Sequence, residues 1–155
     1  MGNTVPSRQP ATVPAHALPH RSPHELLTLA RRGIVEASGW GAPGQRYATA
    51  HLAALRAAAA VLAARARPAV GHRRSRPTSV WVLLAQVAPE MGEWAAFFAA
   101  GAAKRAAAEA GISRVVTARE ADDLLRDAER FLAVVETTLG LAHQPVLELT
   151  TGRAG

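Results

Sequence analysis

One run constrains the fold of this chain more than any other: RYATAHLAALRAAAAVLAARAR, from Arg46 to Arg67. It is built almost wholly of strong helix formers, no glycine or proline interrupts it, and Pro68 stops it. The spacing predicts one long helix from about Pro43 to Ala66, with Tyr47, Ala50, His51, Ala54, Ala58, Val61 and Leu62 on its apolar face. An alanine surface buries little area per residue, so other helices must come close to it. The core then depends on a short list of large side chains: Trp40, Tyr47, Trp81, Trp94, Phe97, Phe98 and Phe131.

Four further helices follow from caps and periodicity. Ser22, Pro23 and Glu25 form a capping box with proline at the first helical position. Leu26, Leu27, Ala30, Ile34 and Ala37 repeat behind it until Gly39. A third helix, over 78–88, is apolar on nearly every side (VWVLLAQVA), as in a buried element or a subunit interface. A fourth, over 89–110, carries Met91, Trp94, Phe98, Gly101, Ala102 and Arg105 along one stripe and closes at Gly111. A fifth opens with the box of Thr117 and Glu120. Its apolar stripe is Ala121, Leu124, Leu125, Ala128, Phe131, Leu132, Val135 and Leu139, opposite a mixed-sign solvated face. The expected fold is all-α, an up-and-down antiparallel bundle of four to five helices. It occupies residues 22–140 of a 155-residue chain, between a disordered tail over 1–21 and a C-terminal tail over 141–155.

Several functions drop out. With no cysteine, the chain has no disulfide, thiolate zinc site or cysteine nucleophile, and the composition suits the cytoplasm. No run of about 18 apolar residues is free of charge, so no membrane span is expected. His16, His20 and His24 are spaced to share a helix face, but Pro14, Pro19 and Pro23 break that helix, and no metal is expected there. No glycine-rich phosphate loop, H-E-x-x-H or G-x-S-x-G is present, and no cofactor is expected. Asp122, Asp123 and Asp127 read as solvated surface beside arginines.

Charge is the informative remainder. The net charge is +6, carried by 17 arginines and one lysine. No acidic residue lies between Glu36 and Glu90, where Arg46, Arg56, Arg65, Arg67, Arg73, Arg74 and Arg76 all fall. Such a segment attracts phosphate polyanions or an acidic partner. Its plainer reading is a solvated arginine face, with a basic loop over 67–77. Within it, Arg46 and His51 make an R-x4-H pair. An arginine holding phosphate and a histidine moving a proton suffice to cleave RNA through its 2′-hydroxyl without metal. Residues five apart on a helix point about 140° apart, so the pair converges only in a distorted first turn or across two subunits. The competing reading of His51 is a satisfied core residue.

RYATAHLAALRAAAAVLA resembles the early helix of the HEPN superfamily (higher eukaryotes and prokaryotes nucleotide-binding), in a small actinobacterial branch. KRAAAEAG at 104–111 and VTAREADDLLRDAERFLAVVE at 116–136 resemble its late pattern of arginine, glycine and a capped helix ending in Ala-x-x-Phe. The resemblance implies a helical bundle, a homodimer, and RNA or nucleotide as ligand, with a nucleotidyltransferase as a possible protein partner. It also implies an R-x(4 to 6)-H ribonuclease site in catalytic members, on the later helices. There this chain offers Arg105 but no histidine at 110–112. The leading expectation is therefore an RNA- or nucleotide-associated module, non-catalytic or weakly catalytic, with Arg65, Arg67, Arg73, Arg74, Arg76 and Arg105 as phosphate-binding residues. The alternatives are a metal-independent ribonuclease using Arg46 and His51, and a structural protein gripping an acidic partner through the arginine loop.

Overall fold

The computed structural model describes residues 11–69, 78–112 and 114–141. Expectations for 1–10, for 70–77 with Arg73, Arg74 and Arg76, and for 142–155 lie outside the described residues. The fold is an all-α bundle of α1 (Pro23–Gly39), α2 (Pro43–Arg65), α3 (Val80–Val87), α4 (Gly92–Ala100), α5 (Ala102–Glu109) and α6 (Ala118–Thr138). The caps act as the sequence predicts. The Ser22 hydroxyl accepts from the Glu25 amide at 3.1 Å, and Thr117 Oγ1 accepts from the Glu120 amide at 3.1 Å. Gly111 and Gly140 adopt φ of 83° and 68°, closing α5 and α6 in the left-handed conformation that costs glycine least.

The long alanine helix is the centre of the molecule. α2 packs against α1, α3, α5 and α6, and all seven residues of its expected apolar face are buried. Ala53, Ala57 and Ala60 are buried too, so the helix is covered on several sides. Small residues set the spacing: a Cβ at Gly33 of α1 would stand 3.0 Å from the Ala53 Cβ. α2 is also long and apolar enough by composition to cross a membrane, but its apolar residues are largely buried by neighbouring helices. A ring cluster joins α3, α4 and α6: Trp81 stacks on Phe98 at 5.1 Å, and Phe98 meets Phe131 at 5.3 Å between centroids.

Four expectations need correction. The single helix over 89–110 is divided: a 3-10 turn at Pro89–Met91 leads into α4, and Gly101 separates α4 from α5. A Cβ at Gly101 would lie 2.6 Å from the Tyr47 hydroxyl, so a side chain at this position would displace Tyr47. Within the tail expected over 1–21, the described residues include a short strand and a 3-10 turn at Ala15–Ala17. β1 (Thr12–Val13) pairs in parallel with β2 (Arg67–Pro68), and Val13 is buried against Leu62 and Leu83. Arg67 is therefore held in a strand rather than in a loop. Trp40 and Phe97 stand outside the core, at 39% and 45% exposure. α3 buries Trp81, Leu83 and Leu84 but exposes Val82, so it is not covered on every side.

Candidate functional site

The two residues of the R-x4-H pair sit five residues apart on α2 and have different surroundings. α2 has no side-chain N-cap, and Arg46 in its first turns reaches back over the turn from α1. Its Nε donates to the Trp40 carbonyl at 3.0 Å and its Nη2 to the Gly41 carbonyl at 3.1 Å. Its Nη1 reaches the Asp122 carboxylate of α6 at 2.5 Å. The guanidinium thus fastens the α1–α2 turn to α6, with only 16% of its side chain exposed.

His51 points into the bundle instead. It is 1% exposed, between Tyr47, Trp81 and Phe98. Its Nε2 lies 2.8 Å from the Phe98 carbonyl oxygen. A carbonyl only accepts, so Nε2 carries the proton and donates, and Nδ1 is the bare nitrogen of a neutral ring. The Phe98 carbonyl also accepts from the Gly101 amide at 3.1 Å, so His51 closes the last turn of α4 at the Gly101 break. Burial pushes the His51 pKa down; the Phe98 bond opposes this, the Arg105 charge adds to it, and Glu109 opposes it. The ring is therefore held neutral. Tyr47, one turn earlier, has its phenol pushed up by burial.

Arg105 does come near this cluster, as its electrostatic effect on His51 shows. Its Nη1 pairs with Glu109 at 2.9 Å. Its Nε and the His51 Nδ1 are both buried with no hydrogen bond to any described residue. α2 and α5 also leave a groove of about 250 Å³, lined by Gln45, Thr49, Leu52 and Glu109. On the α6 side, Lys104 and Glu120 form an ion pair in which Lys104 holds the Glu120 carboxyl below its ordinary value.

The remaining described phosphate-binding candidates, Arg65 and Arg67, lie at the other end of α2. Arg65 pairs with Glu90 at 2.6 Å, with side chains 36% and 52% exposed. Arg67 is exposed, and its amide donates to the Ala11 carbonyl at 3.1 Å. Sequence reasoning did not reach the partners of Arg46 or the acceptor of His51. Both depend on main-chain carbonyls brought in by the tertiary fold, and no local pattern marks them.

The model of the SAV_6107-like HEPN family matches residues 37–136, from the last turn of α1 through nearly all of α6. The chain belongs to this HEPN family. No curated protein and no solved structure matches it significantly. The matched region of this HEPN chain contains Arg46, His51 and Arg105, so all three belong to the family's own bundle and none to an appended segment.

Proposed function

We propose that this HEPN chain is a non-catalytic RNA- or nucleotide-associated module whose exposed arginines at the C-terminal end of α2 hold phosphate. One observation carries the reading: the chain divides its functional candidates between the interior and the surface. His51 is neutral, buried and bonded to a carbonyl, which removes it from proton transfer to a substrate in solvent. Arg46 is occupied by two carbonyls and a carboxylate. Arg67 is exposed, and Arg65 is held by a surface pair of the kind worth about 0–1 kcal/mol, which a phosphate can displace. Both belong to the acid-free stretch between Glu36 and Glu90.

The test is the salt dependence of single-stranded RNA binding by the full chain and by the variant Arg65→Ala/Arg67→Ala. Each lost phosphate contact lowers the slope of log K against log salt by about 0.7 to 1. The variant should bind more weakly on every RNA sequence, with a slope reduced by roughly 1.4 to 2. Unchanged affinity and slope would remove these arginines from the interface.

A further inference from the structure

A second groove lies between α4 and α6. It holds about 370 Å³ and is lined by Glu93, Trp94, Phe97 and Asp127. Its floor is aromatic. Trp94 stacks on Phe98 at 6.1 Å and rests on Phe131 at 5.5 Å, while Phe97 meets Phe98 edge-on at 5.0 Å. Phe97 is nonetheless 45% exposed. Its rim is acidic, with one carboxylate from each helix.

No close cation among the described residues engages these carboxylates. Asp122, Glu90, Glu109 and Glu136 each hold an arginine at 2.5 to 2.9 Å. Glu93 makes no ion pair with any described residue, and Asp127 has only a loose pair with Arg130 at 3.7 Å. In a chain of net charge +6, an acidic rim over an exposed aromatic floor is complementary to a cation and not to a phosphate. A planar guanidinium fits both features, because it stacks on aromatic faces and donates bidentately to a carboxylate. An ammonium would satisfy the charge alone.

We propose that the α4–α6 groove is a docking site for an arginine side chain of a partner polypeptide, which stacks on Trp94 and Phe97 and pairs with Glu93. This inference does not rest on the phosphate reading, which concerns Arg65 and Arg67. The probe is a fluorescein-labelled peptide alternating glycine and arginine, with lysine and citrulline counterparts, titrated by anisotropy against the full chain. Bulk electrostatics repel a basic peptide from this protein, so saturable binding must come from a local site.

The expected result is saturable binding of the arginine peptide, weaker binding of the lysine peptide and none of the citrulline peptide. Glu93→Gln and Phe97→Ala should each weaken it about tenfold. Glu109→Gln, which removes a carboxylate elsewhere, should leave it unchanged. Both groove positions are exposed, and thermal melts of the variants check that they fold. Equal binding by wild type, Glu93→Gln and Phe97→Ala would overturn the proposal, as would equal binding of the citrulline peptide. Sedimentation showing that Phe97→Ala converts a dimer to a monomer would also overturn it, since a second copy would then cover the groove. So would loss of RNA affinity in Phe97→Ala with no peptide binding to wild type.

Discussion

The two ends of α2 use arginine in opposite ways. At the N-terminal end, Arg46 spends its guanidinium on two carbonyls and Asp122, next to a turn that buries Tyr47 and His51. At the C-terminal end, Arg65 and Arg67 remain at the surface, one lightly paired and one exposed. Residue type and spacing do not by themselves make a site. An arginine and a histidine five residues apart serve as fasteners of the fold, while Arg65 and Arg67 keep their charge available. Four predictions press on this comparison.

The largest effect is expected at the buried end. His51→Ala removes a ring packed between Tyr47, Trp81 and Phe98 and a hydrogen bond at the end of α4. It should cost about 2–4 kcal/mol in urea unfolding. A destabilisation under about 0.5 kcal/mol would mean that His51 is not a core residue. Next, Gly101→Ala sets a methyl 2.6 Å from the Tyr47 hydroxyl and should cost about 1–3 kcal/mol. On a Tyr47→Phe background most of that cost should vanish, because the clashing oxygen is gone; an additive double mutant would place the strain elsewhere.

His51 also gives the fold a pH dependence. Its folded pKa lies below its ordinary value of 6.5, so the unfolded chain binds the proton more readily. The His51 contribution is therefore fully present above 6.5 and is lost as the pH falls below it, with a slope of at most one proton per molecule. Comparing urea midpoints of wild type and His51→Gln across that range should show the slope in wild type and a flatter profile in the variant. The smallest stability effect belongs to the other end. Arg65→Ala and Arg67→Ala should each change stability by less than about 0.5 kcal/mol while weakening RNA binding. Loss of stability without loss of binding would erase the distinction between the two ends.

Much of the fold was legible because its signals are local. Ser22 with Glu25, Thr117 with Glu120, and the stripe from Ala121 to Leu139 lie within a few residues of one another. The break at Gly101 was not, since glycine in an alanine helix is tolerated, and the Tyr47 hydroxyl that leaves no room for a side chain there comes from another helix. The strand pair of Thr12–Val13 with Arg67–Pro68 was equally hidden: two residues carry no periodicity, and their partners are more than fifty residues away. The site was the least legible. Helical geometry correctly turned Arg46 and His51 apart. It did not reveal Asp122, the Trp40 carbonyl or the Phe98 carbonyl, because tertiary packing supplies them.

The most direct test is incubation of end-labelled structured RNA with the purified full chain in EDTA. The account predicts that the RNA remains intact while binding is retained. Metal-independent cleavage that co-purifies with the chain and is lost in a folded His51→Gln variant would contradict it, returning the buried histidine to chemistry.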